Sequence, residues 1–241
     1  MGNNYMDQTQ PNTRFVSDVM KCPGMNHQPG SIGFIEKMII GQLILISQPK
    51  LIIETGTFHG QTTRFLAEFI SMNKLGKCRI ATFDLPDVIN ELTKTDSFYI
   101  DNPEIELISG LLPESLKEYL NKMQMPIDFA IVDAQHAYNA VLKELNVIHT
   151  CLKAGGYIFC HDYRENDPKY EGVVFAVNKF AKKFGYNILP LNNSNLNNEE
   201  VVWGTALLRK PMLKRQFSKE LFYQLQMVYS IIISSIKKYV H

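Results

Sequence analysis

A chain of 241 residues, 45% hydrophobic and 20% charged, carries enough apolar material for one full α/β domain with appendages and is short for two. A formal net charge of +1 gives no global electrostatic case for nucleic acid or for an anionic membrane surface as partner. The four cysteines (Cys22, Cys78, Cys151, Cys160) lack the paired spacing of a metal finger and read as reduced, buried thiols. No apolar run approaches the roughly 20 residues that span a bilayer, and a polar N-terminus offers no signal-peptide core, so the expectation is a cytoplasmic protein.

Residues 1–30 are rich in Asn, Gln, Pro and Gly and are expected to form an arm or lid rather than a core element. From residue 31, Ile32, Ile35, Ile39, Leu43 and Ile46 recur at helical spacing, with Ser31 as the candidate N-cap. Strand-like runs then follow at 51–54, 79–84, 105–109, 129–133, 157–161, 186–191 and 201–209. Helical patterns at 62–72, 88–92, 113–123, 137–152 and 172–184 separate the first six. Strand and helix alternating in this way predict an α/β, doubly wound sheet, mostly parallel and buried on both faces. Only the Asn-rich segment 192–200 joins the last two strands, which makes them a hairpin and the seventh strand antiparallel. The domain is expected to occupy 31–210. Within 211–241, Leu221, Leu225, Val228, Ile232 and Ile236 form one stripe of a final amphipathic helix. That stripe suits packing on the domain or on a second copy in a homodimer, with peripheral membrane attachment the less favoured use.

The turn after the first strand carries the sharpest signal: Glu54-Thr55-Gly56-Thr57-Phe58-His59-Gly60. Gly56 permits a sharp turn and Gly60 a close approach at the start of the helix. The Glu-x-Gly-x-x-x-Gly spacing differs from the Gly-x-Gly-x-x-Gly of dinucleotide folds, which disfavours a nicotinamide dehydrogenase. A carboxylate at the mouth suits a ligand with hydroxyls and positive charge, a description that fits S-adenosylmethionine. Ligands of open α/β sheets bind beyond the carboxyl ends of the strands, and these strands end in Glu54, Asp84, Ser109-Gly110, Asp133 and His161-Asp162. Asp84 is placed to accept both hydroxyls of a ribose.

Asp133-Ala134-Gln135-His136 and His161-Asp162-Tyr163 converge if the fourth and fifth strands are neighbours. Asp133, His161 and Asp162 then offer donors for a divalent metal that would acidify a substrate hydroxyl. Alternatively His136 or His161 acts as general base. The plainer reading of a His–Asp pair at a strand end is a hydrogen bond that fixes the next turn. His59, His27 and Trp203 are weaker candidates, Trp203 being a core residue by type.

Four segments carry a resemblance: the turn at 54–60, Ala81-Thr82-Phe83-Asp84, Ile131-Val132-Asp133-Ala134-Gln135-His136-Ala137-Tyr138, and 152–162 ending Phe159-Cys160-His161-Asp162. In this order they resemble the class I S-adenosylmethionine-dependent methyltransferases, and most closely the small O-methyltransferase group that includes macrocin- and catechol-type enzymes and related bacterial proteins. The resemblance covers roughly residues 50–210 and implies a seven-stranded sheet in the order 3-2-1-4-5-7-6. It implies that Glu54, Gly56 and Gly60 surround the methionine part of the cofactor, Asp84 its ribose, and Ser109 and Gly110 its adenine. Thr55 and Thr57 of the same turn, and Asp133, are counted with the cofactor-binding residues. Metal-dependent relatives hold magnesium at the positions of Asp133, His161 and Asp162. The chain departs at His161, where those relatives usually carry an acid; imidazole is a poorer magnesium ligand, and the position suits a softer metal or none.

The function so implied is methyl transfer to a hydroxyl of a small molecule, either a sugar or a phenol, with acceptor choice made by residues 1–30 and 192–200. The rivals are a hydroxylase holding iron at Asp133, His161 and Asp162, and a non-catalytic assembly protein displayed through the final helix.

Overall fold

A computed structural model of the chain describes residues 22–25, 32–191 and 204–212. The rest of the arm, His27, Ser31, the 192–200 segment, Trp203 and the final helix lie outside the described residues. The elements in chain order are α1 (Phe34–Ser47), β1 (Leu51–Thr55), α2 (Gln61–Met72), β2 (Arg79–Asp84), α3 (Pro86–Thr95), α4 (Phe98–Asp101), β3 (Ile105–Ser109), α5 (Glu114–Met123), β4 (Ile127–Val132), α6 (Tyr138–Cys151), β5 (Leu152–Cys160), α7 (Glu171–Phe184), β6 (Asn187–Pro190) and β7 (Ala206–Arg209). Single 3-10 turns stand at Pro23–Met25 and Pro168–Tyr170.

The seven strands form one sheet in the order β3-β2-β1-β4-β5-β7-β6, as the family resemblance implied. The pairs β3–β2, β2–β1, β1–β4 and β4–β5 are parallel. β7 runs antiparallel to both β5 and β6, so the expected hairpin closes the sheet. Successive residues of a strand point to opposite faces, and the two cores follow that alternation. Ile52, Ile80, Phe129, Ile131 and Phe159 pack with α1 and α2 on one face. Leu51, Ile53, Ala130, Val132 and Ile158 pack with α5, α6 and α7 on the other.

Two departures from the sequence expectation matter for the site. The first helix begins at Phe34 with Gly33 as its N-cap, and the Glu36 carboxylate accepts a hydrogen bond from Gly33 N at 2.7 Å; this satisfies one of the helix's orphan donors. The helix is also buried nearly all round, so Glu36 and Lys37 point inward with the apolar residues. Lys37 Nζ donates to Gly24 O at 2.8 Å, and Gly24 N donates to Glu68 Oε2 at 2.5 Å. These bonds pin the 22–25 turn onto α2, where a Cβ on Gly24 would fall 2.5 Å from Phe65 Cα.

Candidate active site

The carboxyl ends of β3, β2, β1, β4 and β5 lie along one rim, and the rim has two halves. In the first half, β1 leads into a turn that crosses the ends of its neighbours. Gly56 has φ +90°, and a Cβ there would lie 2.6 Å from Asp133 O, so the backbone of the β4 end demands the glycine. Gly60 has φ +72°, and its Cβ would meet the Tyr99 hydroxyl at 2.4 Å. The close approach at Gly60, expected of a ligand or a strand, is thus made by a tyrosine of α4.

Asp84 anchors the same turn. Its Oδ2 accepts from Phe58 N at 2.8 Å and its Oδ1 from Leu85 N at 2.7 Å. Each carboxylate oxygen carries two lone pairs, so one on each remains to accept a pair of hydroxyls. Phe58 and Leu85 beside it are half-exposed, and Leu111, just past Gly110, is largely exposed. An acceptor for vicinal hydroxyls bordered by exposed apolar side chains fits a nucleoside. Ser109 is exposed, and Gly110 N bonds Asp84 O at 2.9 Å, so the ends of β2 and β3 are tied together here.

Three residues expected around the cofactor lie deeper. Glu54 is buried beneath the turn and accepts from the Thr63 hydroxyl of α2. Burial pushes its carboxyl up to about 7, against hydrogen bonds from Thr63 and Thr82. Thr57 is buried with its hydroxyl 2.6 Å from that of Thr82. Thr55 is fully buried, and its hydroxyl donates to Ile131 O at 3.5 Å. It shares the strand parity of Leu51 and Ile53 and so faces α6, away from the opening.

The second half of the rim is a chain of acids and histidines. Val132 pairs with Cys160, so Asp133 and His161 emerge side by side toward α1. His161 is buried, with Nδ1 3.0 Å from Asp133 Oδ1 and Nε2 3.7 Å from Glu36 Oε2. Glu36 in turn accepts from the Thr205 hydroxyl beside β7. Asp162 takes a left-handed conformation, φ +57°, which aspartate tolerates better than most residues. Its Oδ2 accepts from His136 Nε2 at 2.9 Å and its Oδ1 from Arg164 at 2.8 Å. Arg164 lies over the Tyr170 ring, 4.1 Å from its centroid, while His136 meets that ring edge-on at 5.0 Å. Gly172 at the start of α7 lets the 136–138 backbone close in, since a Cβ would lie 2.4 Å from His136 O.

The charges follow from these contacts. Burial alone would lower the His161 pKa, but Asp133, Asp162 and Glu36 together hold it well above the usual range. Burial raises the Asp133 carboxyl, with His161 acting against it. Burial also acts to raise Asp162, yet His136, His161 and Arg164 keep it well below the usual carboxylate range. The side chain of His136 is 42% exposed against 6% for His161. Of the two histidines, His136 therefore faces the cleft, and His161 braces Asp133 from beneath.

Donor atoms of Asp133, His136 and Asp162 lie within 4.8 Å of one another, the spacing of a metal-ligand group. Among the described residues this group differs from the expected set of Asp133, His161 and Asp162 in its nitrogen: His136 lies with the two carboxylates, while His161 is turned between Asp133 and Glu36. The sequence reading missed Glu36, Thr205, Arg164 and Tyr170. Of these, only Arg164 carried a signal, as a permanent cation two residues beyond the His161-Asp162 pair.

The strand order, the glycine turn and the placing of Asp84 agree with the resemblance to class I S-adenosylmethionine-dependent methyltransferases. Residues 53–163 match a family model described as a methyltransferase domain. The chain is 23% identical over 150 residues to a rhamnosyl O-methyltransferase of Mycobacterium leprae, covering 59% of this chain and 63% of that protein. It is 27% identical over 124 residues to a rhamnosyl O-methyltransferase of Mycobacterium bovis, covering 49% and 48%. The chain thus spans between about half and two thirds of the length of these relatives. In fold it is similar to the O-methyltransferase from Bacillus cereus in complex with SAH, with TM-score 0.55, 18% identity and coverage of 85% and 94%. It is similar also to an O-methyltransferase from Streptomyces achromogenes in complex with SAM, with TM-score 0.58, 13% identity and coverage of 84% and 91%.

Proposed function

We propose that the protein methylates a hydroxyl oxygen of a small molecule, and that the acceptor hydroxyl belongs to a sugar. The observation that carries this reading is the presence of two half-sites along one rim of strand ends. A nucleoside-suited edge at Asp84, Phe58 and Leu85 shares that rim with an exposed histidine held by a carboxylate, His136 on Asp162. The matched relatives are named for a rhamnosyl group, which supports a sugar over a phenol.

When bound, S-adenosylmethionine would supply an electrophilic methyl carbon and a neutral thioether leaving group that keeps the electron pair of the carbon–sulfur bond. The chain's own residues bind, orient and take the proton. Asp84 holds the ribose hydroxyls, and the turn at 56–60 covers the strand ends. Asp162 accepts from His136 Nε2, which leaves Nδ1 to receive the acceptor proton and sets the tautomer for that role. Asp133 borders the same space with its charge balanced by His161. Positioning is worth more here than the base, about 7–11 kcal/mol in favourable systems.

The test is calorimetric titration with S-adenosylhomocysteine, followed by transfer of labelled methyl to a panel of rhamnose- and hexose-bearing acceptors. Asp84→Ala should weaken binding about 100-fold or more, because a charged acceptor of two hydrogen bonds is lost. His136→Ala should leave that affinity intact and slow turnover by about 10²–10⁴. Absence of binding to the wild type would sink the cofactor assignment; full turnover by His136→Ala would sink the base.

The same reading takes 31–210 as the catalytic domain, 1–30 as the acceptor-selecting arm and 211–241 as a helix that pairs with a second copy in the cytoplasm. Near-neutral net charge supports a small-molecule partner over nucleic acid. Among the described residues no helix is long and apolar enough to cross a membrane.

A further inference from the structure

The resemblance to metal-dependent methyltransferases implies magnesium at the ends of the fourth and fifth strands, and the donor spacing of Asp133, His136 and Asp162 alone would admit an ion. Charge and hydrogen bonding decide otherwise. Magnesium prefers oxygen donors with uncompensated negative charge and keeps several waters. Here both cleft carboxylates are already engaged by protein donors: Asp133 by His161 at 3.0 Å, and Asp162 by His136 at 2.9 Å and Arg164 at 2.8 Å. The third acid, Glu36, lies across the His161 ring from Asp133 and takes the Thr205 hydroxyl.

Arg164 is no loose surface cation. Its side chain is 17% exposed, lies on the Tyr170 ring at 4.1 Å and reaches Asp167 at 3.5 Å. A guanidinium cannot shed its charge, and its planar fork matches carboxylate geometry. A divalent ion on Asp162 would have to displace the His136 hydrogen bond and sit beside that fixed positive charge.

We infer that Arg164 holds the position of the cation in this active site, so that the Asp133–His136–Asp162 cluster works without a divalent metal. The residues present do not fit magnesium. Arg164 is a positioning residue: it fixes Asp162, and Asp162 fixes His136. The inference rests on the methyl-transfer reading for what His136 does, but the claim about metal concerns the cluster alone and is measured separately.

The experiment uses the full chain, freed of metal with a chelator and saturated with S-adenosylhomocysteine. It is titrated with manganese, followed by electron paramagnetic resonance, and with magnesium, followed by calorimetry. The variants are Arg164→Gln, Arg164→Lys, Asp162→Asn and the double variant Arg164→Gln/Asp162→Asn. The wild type and Arg164→Lys should bind manganese no tighter than about 1 mM. Arg164→Gln should bind it at least about tenfold tighter, and the double variant should lose that gain.

Micromolar manganese binding by the wild type, abolished in Asp162→Asn, would show a metal centre and overturn the inference. So would an Arg164→Gln protein that folds yet gains no affinity, since the guanidinium would then not be what keeps the ion out. S-adenosylhomocysteine affinity reports folding of each variant; if Arg164→Gln does not fold, the wild type and Asp162→Asn still decide. Failure of the wild type to bind S-adenosylhomocysteine overturns the methyltransferase reading instead and leaves the manganese titration interpretable.

Discussion

Glu144 offers the most quantitative test of this structure, because it is a deeply buried acid with no ion pair among the described residues. It sits on α6 beneath the sheet, 1% exposed, and neither carboxylate oxygen has a hydrogen-bond partner among the described residues. The nearby Thr55 hydroxyl donates to Ile131 O instead. Burial pushes the Glu144 carboxyl from 4.5 up to about 7, with Thr55 acting against it and Asp133 adding to it.

The sign follows from proton counts. Between pH 4.5 and 7 the native state holds a proton that the unfolded chain has released, so stability falls as pH rises through that window. At about 1.4 kcal/mol per pKa unit, integration of the two titrations gives a loss of roughly 2–3 kcal/mol between pH 5 and pH 8. Glu144→Gln cannot ionise, so relative to wild type it should gain that amount over the same interval. For a chain of this size the relative change corresponds to roughly 5–10 °C in melting temperature. Urea unfolding followed by far-UV circular dichroism, run on both proteins at pH 5 and pH 8, measures it. The constant penalty of a buried amide cancels in the difference between the two pH values. A difference that stays within about 0.5 kcal/mol across the two pH values would refute the claim that Glu144 is buried and unpaired.

Two further substitutions probe the glycine turn. Gly56→Ala should destabilise by about 2–4 kcal/mol, because φ +90° and the 2.6 Å approach to Asp133 O both oppose a Cβ; thermal unfolding with and without S-adenosylhomocysteine reads it. Gly60→Ala should destabilise through the Tyr99 ring, and Tyr99→Ala on that background should recover part of the loss, about 1 kcal/mol or more of coupling in a double-mutant cycle. Strict additivity would mean that Tyr99 is not what makes Gly60 necessary.

Much of the frame was legible because it is periodic. β2 and β3 fall at their expected bounds, α2 within one residue, and the antiparallel pairing of β6 and β7 follows from a 192–200 sequence that lacks a helical pattern. β5 begins five residues early, at Leu152, because the 154–156 stretch bends across Gly155, whose N–H bonds Lys210 O. The short pattern at 88–92 grew into the ten residues of α3, with Pro86 at its first position, where the missing N–H costs nothing. What the pattern hid was the inward use of charge. In α1 the residues 36 and 37 read as a solvent face between apolar positions, yet their partners, Gly24, His161 and Thr205, are supplied by distant parts of the chain. A stripe on a helix shows which side is apolar; it does not show that a carboxylate on a neighbouring side will find a buried histidine.

The β4–β5 register explains why the two sets of titrating groups stay apart. With Val132 opposite Cys160, both side chains enter the core shared with α6, and Glu144 meets them there. The next residue of each strand, Asp133 and His161, turns to the opposite face and meets Glu36. A slip of one residue would exchange these faces, setting Cys160 against Asp133 and burying His161 among the aliphatic residues of α6 and α7. One layer of backbone therefore separates a stability-determining acid from the proposed catalytic ones. On that account Glu144→Gln changes how stability depends on pH while leaving S-adenosylhomocysteine affinity unchanged, and Asp84→Ala does the reverse. If the two variants instead moved together in both assays, the face assignment read from the register would be wrong.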